Sequence, residues 1–75
     1  MWIGNRIKEL DLVKGVKHEF RDCGSVGCEI IFDTLDDWGN FLEWLKANWV
    51  VFGNHGDITS FSWDGKYKSV FIDFK

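Results

Sequence analysis

Hydrophobic periodicity in this chain predicts an α+β fold in the order ββαββ, with one amphipathic helix packed on an antiparallel four-stranded sheet. Three observations carry that reading. The segment Thr34–Trp49 repeats its apolar residues at helical spacing, residues 16–32 alternate with period two around a glycine-containing turn, and residues 57–74 do the same around Asp64-Gly65.

The first fourteen residues fit neither period cleanly. Ile3, Ile7 and Leu10 recur at helical spacing, whereas Leu10, Leu12 and Lys14 alternate only weakly, so a short helix or an irregular turn is expected there. From Val16 the run Val16-Lys17-His18-Glu19-Phe20-Arg21 alternates strictly and reads as a strand with one polar face. Gly24-Ser25-Val26-Gly27 supplies a turn, and Cys28-Glu29-Ile30-Ile31-Phe32 returns as the second strand of a hairpin.

Thr34 is placed to cap the helix, with Asp37 three residues on completing a pattern like a capping box. At about 100° per residue, Leu35, Trp38, Phe41, Leu42, Leu45 and Trp49 share one arc, while Trp44 lies well outside it. The helix is expected to end near Asn48, with Val50-Val51-Phe52 beginning an extended piece before the turn cluster Gly53-Asn54-His55-Gly56.

A second hairpin then joins Asp57–Trp63 to Lys66–Phe74. A three-residue loop Trp63-Asp64-Gly65 with a left-handed glycine would set Phe61 opposite Tyr67 and Thr59 opposite Ser69. In that register Val70, Ile72 and Phe74 point away from the helix and need another cover: the N-terminal segment, a target protein, or a second copy of the chain.

Seventy-five residues are expected to form a single small domain, 1–75, which buries only about 60–65% of its unfolded surface. Five Trp and seven Phe compensate, because each large ring buries about 150–250 Å² with few rotatable bonds. With 45% apolar residues and a net charge of −3, the composition is far from that of disordered chains. No apolar run approaches the roughly 20 residues of a membrane span, the N-terminus lacks the order of a signal peptide, and only two cysteines occur. A cytoplasmic location is expected.

Chemistry-bearing motifs are sparse. His18, Cys23, Cys28 and His55 could in number form a zinc site, but the Cys-x4-Cys spacing is unusual and the histidines are not paired locally. A disulfide between Cys23 and Cys28 is a second reading and two ordinary thiols the favoured one; no metal or cofactor is expected. No nucleophile motif and no phosphate-binding loop is present, and Asp36 and Asp37 are adjacent and so on different azimuths. The chain does not read as an enzyme.

Binding is what remains. Between Asp22 and Leu45 the chain carries Asp22, Glu29, Asp33, Asp36, Asp37 and Glu43 and neither Lys nor Arg, which suits a basic partner. Trp44, with Asp37, Asn40, Glu43 and Asn48 around it, is the expected partner-binding flank, unless Trp44 tucks under the N-terminal segment or the Gly53–Gly56 loop. The expected function is a small protein-binding inhibitor or adaptor of the kind that viruses and mobile elements encode, acting on a host protein. One alternative is a homodimer paired through Val70, Ile72 and Phe74. The other is a single-stranded nucleic-acid binder using Phe61, Trp63 and Tyr67 with Lys66 and Lys68, which the net negative charge disfavours.

Overall fold

A computed structural model describes residues 3–53 and 58–74, with side chains from 5 to 49 and from 58 to 74. The turn residues Asn54, His55, Gly56 and Asp57 expected from the sequence lie outside the described residues. Two short helices, α1 (Ile3–Lys8) and α2 (Asp11–Lys14), precede strands β1 (His18–Asp22) and β2 (Gly27–Phe32), helix α3 (Leu35–Gly53), and strands β3 (Ile58–Asp64) and β4 (Ser69–Phe74). The strands form one antiparallel-paired sheet in the order β1-β2-β4-β3, so the fold is α+β as the periodicity predicts.

Local chemistry closes the first hairpin. Gly24 adopts φ 69°, a left-handed conformation that costs glycine little, and its N–H donates to Asp22 Oδ1 at 2.7 Å. Cys23 N–H donates to Gly27 O at 3.0 Å, and the strands pair from Asp22 opposite Cys28 to His18 opposite Phe32. At the start of α3 the Thr34 hydroxyl accepts the Asp37 N–H at 3.1 Å, while Asp36 and Asp37 meet the positive end of the helix dipole.

The helix runs through Val50, Val51 and Phe52 to Gly53, where the sequence suggested a new extended piece. Valine in a helix costs only a few tenths of a kcal/mol to about 0.7 kcal/mol, so an existing hydrogen-bond ladder carries through two of them as far as the glycine. Because β2 and β3 both pair antiparallel with β4, they run parallel to each other, and α3 is the crossover such strands require. β4 slots between them and becomes central.

The second hairpin corrects the sequence reading. Its loop has four residues, Gly65–Lys68, and the residue with positive φ is Lys68 at 55°, whereas Gly65 takes no left-handed conformation. Asp64 Oδ1 accepts the Lys66 N–H at 2.8 Å, and Trp38 donates its indole N–H to Ser69 O at 3.0 Å. A Cβ on Gly65 would lie 3.2 Å from the Trp38 ring, so the glycine lets the loop settle on the indole. Phe61 consequently faces Ile72 and Trp63 faces Val70, and this odd shift of register exchanges the two faces of β4.

Val70 and Ile72 are therefore fully buried under α3 and Phe74 is half-buried on the same face, which removes the dimer face expected from the sequence. They join Ile30, Phe32, Phe41 and Leu45 in one core, with the Phe32 and Phe41 rings 5.3 Å apart. Ile7 and Val13 of the N-terminal helices are equally buried, so those helices contribute to the core. Leu35, assigned to the stripe, is 60% exposed in the first turn of α3. Among the described residues no helix is long and apolar enough to cross a membrane.

Candidate functional site

Trp44 sits about a third of a turn from the buried stripe of α3, on the side that faces the N-terminal helices. Its ring is half-buried and stacks on Phe41, with centroids 6.2 Å apart and planes 29° from parallel. α2 does not close over it. Leu10, Asp11, Leu12 and Trp44 line an open recess of about 440 Å³, three of whose four walls are apolar. A void of this size accommodates a large side chain or a small ligand.

The surroundings are acidic. Asp37 is half-buried and Asn40 and Glu43 are exposed along α3, and the half-buried Asn48 donates from Nδ2 to the Trp44 carbonyl at 2.8 Å. Across the recess Asp11 is almost wholly exposed, and Glu9 and Asp11 share one cation, Lys14, at 3.7 and 3.9 Å. Surface pairs at such distances contribute little, so the carboxylates remain available to a partner's cations. The sequence pointed to Trp44 and its polar neighbours and named the N-terminal segment as one possible cover for that ring, but it did not single out Leu10 and Leu12, which share the recess with Trp44.

The other sequence candidates are dispersed. Among the described residues no three His, Cys, Asp or Glu side chains converge on a possible metal position. His18 Nδ1 lies 2.8 Å from Val16 O, and since a carbonyl only accepts, that nitrogen carries the proton. Cys23 is exposed and Cys28 buried, and both thiols are free. Burial, with smaller contributions from Cys23 and Asp22, pushes the Cys28 thiol up to about 12, so it stays protonated and unreactive near neutral pH.

The aromatics of the second hairpin are divided between surfaces. Phe61 packs with Trp49 at 4.6 Å and with Trp63 at 5.7 Å on the helix side, and Lys46 lies 4.3 Å from the Trp63 ring centre. Tyr67 is in the loop with Lys66 at 5.6 Å. No continuous stacking platform joins the three rings named from the sequence.

The sheet face turned away from α3 holds a second recess, also about 440 Å³, which the sequence reading did not anticipate. Arg21, Glu29, Ile31, Asp64, Tyr67 and Phe71 are among its walls. Arg21 Nε donates to Glu19 Oε2 at 2.6 Å; that hydrogen bond and the charge of Glu19 raise the guanidinium's pKa, with Glu29 adding less. No protein-family model, curated protein or solved structure matches this chain.

Proposed function

We propose that the chain is a non-catalytic, cytoplasmic protein-binding module, an inhibitor or adaptor of the kind viruses and mobile elements encode, which captures a basic host protein on the Trp44 flank of α3. One observation carries the reading: Trp44, Leu10, Leu12 and Asp11 line an open, largely apolar recess, and Asp37 and Glu43 add negative charge elsewhere on the helix that carries Trp44. Interface hot spots combine these ingredients, an aromatic anchor in a pocket within a polar rim. The acidic flank would steer a basic partner and set its orientation, while the recess would receive an apolar side chain.

The test is affinity capture from the native cell, followed by binding measurements on variants. Trp44→Leu keeps an apolar contact with Phe41 while reshaping the recess, and Asp11→Lys with Glu43→Lys reverses exposed charge without touching the core. The captured protein should bind Trp44→Leu at least about tenfold more weakly, a loss of about 1.4 kcal/mol. The charge-reversed form should associate more slowly, with a difference that fades as salt is added. A partner retained equally by all forms would remove the flank from the function.

A further inference from the structure

The outer face of the sheet carries a separate inference. Alternation along the strands turns Glu19 and Arg21 of β1, Glu29 and Ile31 of β2, Ser69, Phe71 and Asp73 of β4, and Ser62 and Asp64 of β3 away from α3. Phe71 and Ile31 are half-buried at the centre of this face, and Tyr67 stands over one end of it, 61% exposed. We propose that the recess they line accepts an arginine side chain from a basic segment of a partner protein.

The chemistry of the walls selects that occupant. A guanidinium is flat, weakly hydrated and attracted to ring faces, so it can lie on apolar and aromatic surfaces that an ammonium or a carboxylate avoids. Glu29 stands opposite Phe71 on β2 and Asp64 opposite Ser69 on β3, so the strands either side of β4 each bring a carboxylate to the recess. The face's own cations are already engaged. Arg21 is hydrogen-bonded to Glu19 at 2.6 Å and pairs more loosely with Glu29, whose Oε1 lies 3.7 Å from the guanidinium, an ion pair without a hydrogen bond. Lys66 occupies a position near the Tyr67 ring, an instance within this chain of a cation beside that ring. Among the charged side chains that line the recess, the carboxylates Glu29 and Asp64 outnumber the one cation, Arg21.

Other occupants fit less well. Four strands about 4.8 Å apart and some six residues long cover roughly 400 Å², about half of what each partner contributes to a standard interface. A second copy of the chain would moreover bring its own carboxylates against these. Phosphates of a nucleic acid would meet the same repulsion. The proposal does not depend on the Trp44 reading, because the two recesses lie on opposite sides of the sheet.

The full chain, labelled with nitrogen-15, can be titrated with an acetyl-Gly-Arg-Gly amide peptide and with its citrulline counterpart, which keeps the shape but removes the charge. Saturable amide shifts confined to the neighbourhood of Glu29, Ile31, Tyr67 and Phe71 are expected with arginine and not with citrulline. Glu29→Gln and Asp64→Asn should each weaken the arginine peptide about fivefold, the scale of one partly exposed ion pair, with thermal midpoints unchanged. Asparagine can retain the turn that Asp64 closes on Lys66, so that variant tests charge alone. The proposal is overturned if shifts do not saturate, if citrulline or lysine peptides bind equally well, or if oligothymidine binds the same residues more tightly than the arginine peptide does.

Discussion

Lys68 holds a backbone conformation that its side chain disfavours. Its φ of 55° costs a residue with a Cβ about 1–2 kcal/mol, whereas glycine bears only the added entropy of its unfolded state, about 0.5–1 kcal/mol. Lys68→Gly should therefore stabilise the fold by up to about 1 kcal/mol in chemical denaturation, because the Phe32 N–H to Lys68 O bond at 2.8 Å involves backbone only. Lys68→Ala retains the Cβ and should show no such increase; equal increases in both variants would mean the backbone is not the cause. Cys28 supplies a second prediction at this scale. Its folded pKa is raised, so the folded state keeps the proton longer than the unfolded state; the thiol's contribution is complete below the unfolded value near 9.0 and is lost as pH rises toward about 12. Stability of the parent should fall between about pH 9 and about pH 12 more steeply than that of Cys28→Ala. Superimposable profiles would show that the buried thiol is not linked to folding. None of this was visible beforehand: two cysteines five positions apart do not say which one faces the core, and a lysine gives no hint of a left-handed backbone.

For whole elements, α3 separates positions that the helical arc treats alike. Leu45 is fully buried against the sheet, so Leu45→Ala should cost about 2–5 kcal/mol, while Leu35→Ala in the exposed first turn should change stability by no more than about 0.5 kcal/mol. Thermal melts of the two variants compare them directly, and equal costs would mean that the helix is rotated from the described orientation. The arc was readable because 3.6-residue periodicity survives any tertiary arrangement, and the Thr34 cap because it is local chemistry. Strand pairing was readable only in part. Period-two alternation identifies the two faces of a strand but not which one meets the helix; in the second hairpin that depended on whether the loop held three residues or four. The loop length in turn reflects Trp38, thirty-one residues from Ser69, whose indole N–H bonds the Ser69 carbonyl and whose ring lies over Gly65. A pattern of local spacing carries no information about such a contact.

Across the molecule, the N-terminal helices decide how much of α3 is core and how much is surface. Ile7 and Val13 are completely buried, although α1 and α2 together contain only ten residues and would not persist alone in water. They are ordered by burial against the rest of the chain, and in exchange they cover the Phe41 and Trp44 side of α3. The sequence left residues 1–14 undecided because their pattern is shared between two short helices with a break at Glu9–Leu10, too brief for either period to emerge. Trp44 was therefore legible as an outlier from the helical stripe but not as the floor of a recess, since the walls come from a segment the periodicity could not place. This arrangement makes Trp44 partly structural: Trp44→Ala should cost about 1–2 kcal/mol, less than a fully buried tryptophan and more than a surface one. Removing residues 1–15 should have a larger effect. In a chain of 75 residues the loss of two completely buried side chains, at about 1–3 kcal/mol each, consumes much of a stability that is about 5–10 kcal/mol at this size. The shortened chain should lose its cooperative thermal transition and expose Phe41 and Trp44, seen as a red shift of tryptophan emission. If it instead melts cooperatively within a few degrees of the full chain, α1 and α2 are an appendage, and the recess at Trp44 has no fixed wall.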